Sequence, residues 1–140
     1  GWWSRGLGDV YKRQKQLYAE SLGKKAKGVL PVVSEMPKDQ HSLLQLYLDG
    51  PKNIFFEIMG MEYSKMNMIN ITLSNHLDAM SKSLSKINEN TNKYIFKDKD
   101  MSKIGHFFGT EMLRVIYLAE LLEVDPFTQD AVDIQKGYLN

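Results

Sequence analysis

The spacing of apolar residues changes along the chain, and successive segments have the spacing of helices and of strands in alternation. Residues 12–22 have apolar positions at helical spacing and are followed by Gly23, a natural helix stop. The continuous apolar run at residues 29–33 (VLPVV) predicts a strand that is buried on both faces. Asp39 can then cap a helix that continues to about residue 49.

The second half of the chain repeats this alternation. Residues 54–59 (IFFEIM) predict a second strand, and residues 70–88 predict a long amphipathic helix. Residues 93–96 predict a short strand at a sheet edge, because they are few and flanked by lysines. Residues 102–122 predict the most apolar helix, with apolar side chains on more than one face, so we expect it to be nearly enclosed by protein. Asp125 and Pro126 open a final helix toward residue 138.

Strands that alternate with helices indicate an α/β fold, with a mostly parallel sheet in a three-layer sandwich. Only three strands are visible in the pattern. A sheet of three strands beside so apolar a helix leaves apolar surface uncovered, which predicts a missing partner segment or subunit.

The first 14 residues do not continue the pattern. Residues 1–8 combine two tryptophans with three glycines and have no helical or alternating period. Residues 8–14 (GDVYKRQ) look like the translated adapter tails that head some chains assembled from short sequencing reads. We therefore expect residues 1–14 to be non-native or adapter-derived; the alternative is a native loop anchored by its tryptophans.

Composition narrows the function class. The chain has 140 residues, 18 basic and 17 acidic side chains and no cysteine, which excludes disulfides and thiolate zinc sites. A formal net charge of +1 without a basic stripe argues against nucleic acid as a partner. The apolar runs are too short to cross a bilayer, so we expect a soluble, single-domain protein. Neither a glycine-rich phosphate loop nor a histidine pair with metal spacing is present.

Glu20 is the first candidate for chemistry. It lies near the carboxyl end of the first predicted helix, where the helix dipole opposes the charged form of a carboxylate and favours a role as general base. The alternative is a solvated glutamate paired with Lys24 at the i, i+4 spacing, which local sequence alone favours.

His41 is the second candidate. It lies on the first turn of a helix that follows a predicted buried strand, which is the crevice where α/β proteins bind small ligands. The backbone amides of a helix start favour a neutral imidazole that can pass protons. A lone histidine is more often a packed or surface residue, but the position of His41 sets it apart.

Gln129 and Lys136 are the third candidate. Seven residues are almost two turns, so one helix would project both side chains from the same face, as donors for hydroxyl and oxyanion groups. The alternative is a surface ion pair between Asp133 and Lys136, and spacing does not decide between the two.

Three segments together carry a family resemblance. Residues 18–24 (YAESLGK), residues 39–47 (DQHSLLQLY) and residues 125–136 (DPFTQDAVDIQK) resemble motifs of the bacterial glucose-6-phosphate isomerases, in the same order. The last segment resembles the C-terminal signature of that family. The signature positions that depart from the pattern are Thr128, Ala131 and Asp133.

The resemblance implies a role for each candidate. Glu20 matches the base that moves a proton between the first two sugar carbons through a cis-enediol. His41 matches the histidine of ring opening, which reaches the site from the partner subunit of a homodimer. Lys136 matches a lysine that assists ring opening, and Gln129 matches a residue that contacts substrate. The resemblance implies a cytoplasmic enzyme of glycolysis and gluconeogenesis that acts on a sugar phosphate and needs no metal or organic cofactor.

The resemblance covers residues 15–140, which we interpret as the C-terminal part of the second sugar-isomerase (SIS) domain with its C-terminal helix, an incomplete SIS-type domain. The family's Gly-Gly-Arg motif and its phosphate-binding loop would lie upstream, and the chain contains neither. We therefore expect negligible isomerase activity from the chain alone. Another sugar-phosphate isomerase and a noncatalytic α/β binding or assembly module are the alternatives.

Overall fold

A computed structural model of the chain describes residues 2–87, 90–97 and 100–138. Contacts divide the chain into two compact units, a first unit of Gly1–Val33 with Gly105–Asn140 and a second unit of Ser34–Ile104. The elements within the described residues are α1 (Trp2–Leu22), α2 (Gln40–Asp49), β1 (Phe56–Glu62), α3 (Met68–Ile87), β2 (Thr91–Lys97), α4 (Met101–Leu122) and α5 (Asp130–Gly137). None of these described helices is both long and apolar enough to cross a membrane.

The second unit is built around a parallel strand pair. β1 and β2 pair in register from Phe56 opposite Thr91 to Glu62 opposite Lys97. Parallel strands cannot be joined by a tight turn, so a crossover must connect them, and here α3 is that crossover and packs against both strands. The structure therefore confirms the α/β class and the parallel sheet.

Gly60 in β1 allows α3 to approach the sheet. A Cβ added at Gly60 would overlap the side chain of Leu77. We expect Gly60→Ala to lower the free energy of unfolding of this unit by about 1–3 kcal/mol, because Leu77 must leave its preferred position. Gly109→Ala is the matched control, since Gly109 lies in α4 with nothing within 4 Å of an added Cβ. The control substitution should stabilise its helix by about 1 kcal/mol. Urea denaturation of both variants should therefore show a lower free energy of unfolding for Gly60→Ala and a higher one for Gly109→Ala.

The core of the first unit lies where α1 packs against α4. Its buried side chains are Leu22, Val115, Ala119 and Val124, with Leu17, Tyr18, Leu118 and Leu122 partly buried around them. On α4 the buried positions recur every four residues, from Phe107 to Ala119. This is the stripe that an amphipathic helix presents to one neighbour.

A lysine-rich turn after α1 caps the end of α4. Lys27 Nζ donates to the Leu122 carbonyl at 2.8 Å, Lys25 Nζ to the Glu123 carbonyl at 3.3 Å, and Lys24 Nζ to the Asp125 carbonyl. The last carbonyls of a helix have no partner inside the helix and carry partial negative charge, so ammonium groups are favourable there. The turn thereby ties the end of α1 to the segment that leads from α4 to α5.

The strand predicted at residues 29–33 is wrong. The structure assigns no strand there, and Leu30 is 86% exposed. An apolar strand buried on both faces needs neighbouring strands and covering helices, and the described sheet lies in the other unit. The described part of the chain therefore contains two strands rather than the three predicted.

Several helix boundaries also differ from the prediction. α1 already begins at Trp2, although residues 2–8 lack a helical period; their side chains are outside the described part. Asp39 is the N-cap of α2, but its carboxylate accepts the Glu35 backbone N–H at 2.8 Å rather than capping the helix. Residue 88, the predicted end of α3, lies outside the described residues.

The expected enclosure of α4 is wrong for the described chain. Only one stripe of the helix is buried, and apolar side chains on its other faces are exposed. The most exposed of them are Met101, Tyr117 and Leu121.

Candidate functional site

The first unit contains an open cavity of about 210 Å³ where α1, α4 and the segment before α5 meet. Both polar and apolar side chains line it. The lining residues are Arg13, Gln16, Leu17, Glu20, Ser21, Phe108, Met112 and Gln129.

Glu20 is held by two side-chain amides. Gln16 Nε2, one turn earlier on α1, donates to Oε1 at 2.8 Å, and Gln129 Nε2 donates to Oε2 at 3.1 Å. Glu20 and Gln129 are 109 residues apart in sequence, so only folding brings them together. The expected ion pair between Glu20 and Lys24 is not formed, because Lys24 Nζ donates to the Asp125 carbonyl instead.

The two amides fix the orientation of the Glu20 carboxylate. Each amide orients one carboxylate oxygen, and neither amide carries a charge that would neutralise it. Phe108 and Met112 provide apolar surface beside the carboxylate, and the Arg13 guanidinium lies 5.5 Å from the centre of the Phe108 ring. The carboxylate is therefore oriented within a cavity that a small polar molecule can enter.

Gln129 reaches the cavity from the residue directly before α5. The predicted helix start at Asp125 and Pro126 is wrong, because α5 begins at Asp130 and Gln129 flanks its first residue. The Asp125 carboxylate accepts the Phe127 N–H at 2.8 Å and forms a turn where the helix was expected. The Gln129 carbonyl then accepts the Val132 N–H at 2.9 Å, which places Gln129 at the start of the helix with its side chain free to turn toward Glu20.

Lys136 lies on α5 and does not line this cavity in the described part of the chain. Its Nζ is 2.9 Å from Asp133 Oδ1, and both side chains are largely exposed. The structure thus contains the surface ion pair between Asp133 and Lys136 that the sequence offered as the alternative.

His41 belongs to the second unit, on the first turn of α2, with an exposed side chain. The segment before α2 is not a strand, so the predicted crevice at the end of a buried strand is not present at His41. The proposed role of His41 stays a prediction.

Glu111 is a buried carboxylate that the sequence pattern did not single out. It is 0% exposed and lies in the buried stripe of α4, between Phe107 and Val115. Its Oε2 accepts the Tyr18 hydroxyl at 3.0 Å and the amide of Gln14. Arg114 Nη1 lies 2.9 Å from Oε1 as an ion pair, although no N–H points along that line to make a hydrogen bond. A polar residue at the i+4 position of an otherwise apolar stripe is the signal that could have revealed it.

Metal binding has no support within the described residues, where no group of three or more histidine, aspartate or glutamate side chains is suitably clustered. The polar groups that line the cavity are a carboxylate, two amides, a guanidinium and the Ser21 hydroxyl.

Comparison with known proteins points to one enzyme. The glucose-6-phosphate isomerase of Mycoplasmopsis synoviae (strain 53) is 33% identical over 144 aligned positions, which cover 87% of this chain and 33% of that protein. The enzyme of the same name from Methanocaldococcus jannaschii is 53% identical over 53 residues, 38% of this chain and 12% of that protein. The chain thus spans about a third of the first of these relatives. No family model matches the chain.

Among solved structures, a hypothetical protein from Thermus thermophilus has the same fold. Its TM-score is 0.73 at 22% identity, and the match covers 93% of this chain and 37% of that protein. At this identity the match supports the fold alone.

Proposed function

Because this chain corresponds in sequence to about a third of a glucose-6-phosphate isomerase, we propose that it supplies the proton-transfer groups of such an enzyme. The reaction interconverts glucose 6-phosphate and fructose 6-phosphate. The contact between Glu20 and Gln129 is the observation that supports this proposal most, since two motif residues far apart in the chain meet in one cavity.

In this proposal Glu20 is the general base. Its carboxylate removes the proton from C2 of the open-chain aldose, and the electrons of that bond form the double bond of a cis-enediol as O1 gains a proton. Return of the proton from Glu20 to C1, with loss of a proton from O2, gives the ketose. A carboxylate in hydrogen-bond reach of both carbons can carry the proton without a cofactor.

The remaining candidates have supporting roles. Gln129, which already orients Glu20, would donate to a substrate hydroxyl when the sugar displaces that contact. We propose that Lys136 assists ring opening by donating to the ring oxygen. We propose that His41 takes part in the same step from the partner subunit of a homodimer. The relatives extend well beyond this chain, and we propose that the phosphate-binding groups and the enediolate-stabilising arginine lie in those other parts.

The experiment that tests the proposal uses a chimera. Residues 15–140 replace the matching third of the Mycoplasmopsis synoviae relative, and fructose 6-phosphate isomerisation is followed by coupled reduction of NADP. We expect turnover by the chimera and none above background by the 140-residue chain alone. A folded chimera without activity would contradict the proposal and favour a noncatalytic module, whereas activity of the chain alone would show that the site is complete within it.

A further inference from the structure

The buried carboxylate of Glu111 occupies a position where the fold itself would accept an apolar side chain. Its neighbours along the buried stripe of α4 are Phe107, Val115 and Ala119. Taking a carboxylate out of water is costly, and replacing a buried ion pair by an apolar group of similar volume is often neutral or stabilising. Stability of the core alone therefore does not account for a glutamate at this position.

The contacts of Glu111 connect the two helices that form the cavity. Tyr18 on α1 donates its hydroxyl to the carboxylate at 3.0 Å, and Arg114 on α4 holds the other oxygen at 2.9 Å. An apolar contact tolerates sliding, whereas a charge-assisted hydrogen bond has one favourable distance and direction. The hydrogen bond between Tyr18 and Glu111 thus favours one position of α1 along α4.

Residues close in sequence to this contact line the cavity. Glu20 lies two residues after Tyr18 on α1, and Met112 directly follows Glu111 on α4; Glu20 and Met112 both line the cavity. A shift of α1 along α4 therefore moves the Glu20 carboxylate relative to Gln129, which is tied to the far end of α4 through the intervening turn.

We propose that Glu111 is a positioning residue: through Tyr18 it sets the register of α1 on α4 and thereby holds Glu20 within hydrogen-bond reach of Gln129. That this position of α1 on α4 matters for catalysis rests on the proposed function. That Glu111 sets the position does not rest on it. Gln14 also donates to Glu111, yet its own Oε1 is buried without a hydrogen-bond partner in the described chain, which lowers its net contribution. The proposal therefore depends on Tyr18 rather than on Gln14, while Arg114 pairs with the Glu111 carboxylate from the same helix.

The test uses the full 140-residue chain and needs no substrate. The side-chain amide of Gln129 is observed by ¹⁵N NMR, together with its cross-peak to the Glu20 side chain, and the melting temperature is measured in parallel. For Glu111→Met we expect a lower melting temperature, because the Arg114 guanidinium and the Tyr18 hydroxyl lose their acceptor. The Gln129–Glu20 cross-peak should be lost, with the amide resonance moving to its position in the free side chain. Glu111→Gln retains an oxygen for the Tyr18 hydroxyl and should retain the cross-peak at reduced intensity.

Two further variants make the outcome decisive. Tyr18→Phe removes only the hydroxyl that joins the helices, and should weaken the same cross-peak even if Glu111→Met does not fold. Glu120→Gln changes an exposed glutamate on the same helix and should change nothing. If Glu111→Met and Tyr18→Phe fold and the Gln129–Glu20 cross-peak persists unchanged, or if Glu120→Gln abolishes it equally, the positioning role is overturned. An inactive chimera with an intact cross-peak would instead count against the proposed function.

Discussion

Glu20→Gln should reduce kcat of the chimeric isomerase by about 10³-fold, which is within the range that a positioned general base contributes. The glutamine side chain keeps the size of the glutamate, and its carbonyl oxygen can accept from one of the two amides that now donate to the carboxylate, Gln16 at 2.8 Å or Gln129 at 3.1 Å. An amide cannot accept the C2 proton at neutral pH. The loss should therefore appear in kcat, with KM changed little, and it is measured by the coupled assay at saturating fructose 6-phosphate.

The matched control for this prediction is Glu35→Gln. Glu35 is also exposed, but it lies in the second unit and has no part in the cavity. Its replacement should leave kcat within about twofold, as expected for surface substitutions. A Glu20→Gln chimera that retained more than a tenth of the activity would remove Glu20 from the role of base.

Leu22→Ala should lower the free energy of unfolding of the first unit by about 3–4 kcal/mol. Leu22 is the last residue of α1, is 0% exposed, and packs against Val115, Ala119 and Val124. Its truncation removes buried apolar surface and leaves a cavity where α1 meets α4. Because the loss of stability is expected in this unit, it should be measured as faster amide hydrogen exchange along α4.

Leu30→Ala is the control for the core prediction. The same side chain is deleted in the same unit, but Leu30 is 86% exposed and should change stability by less than about 0.5 kcal/mol. Comparing Leu22→Ala with Leu30→Ala also tests the strand predicted at residues 29–33. If that strand were buried, both substitutions would lower the free energy of unfolding by similar amounts. Equal destabilisation by both variants would contradict the structure of this segment.

Local pattern predicted much of the secondary structure. The period of apolar residues located α2, α3 and α4 to within a few residues, because amphipathic helices carry their signal at i, i+3 and i+4. β2 was found at residues 93–96 and is observed at Thr91–Lys97. The same rules failed at residues 29–33, where an apolar run is compatible with a strand only if neighbouring strands are available to pair with it.

The sequence likewise predicted the candidate site only in part. Glu20 and Gln129 were each identified from the sequence, but their local context favoured Lys24 as partner for Glu20 and a shared helix for Gln129 and Lys136. The structure instead joins Glu20 to Gln129, and it places Lys136 beside Asp133. Local spacing identifies partners within one helix turn, whereas a contact between distant residues depends on how separate elements pack.

By itself the sequence determined where most of the helices and the parallel strands form and which side chains are candidates for chemistry, because periodicity and residue type are local properties. Tertiary structure alone decided that Glu20 meets Gln129, that Glu111 is buried between α1 and α4, and that residues 29–33 remain exposed. Burial and long-range pairing depend on which surfaces are available to cover a side chain, and the residue and its neighbours in the chain do not specify those surfaces.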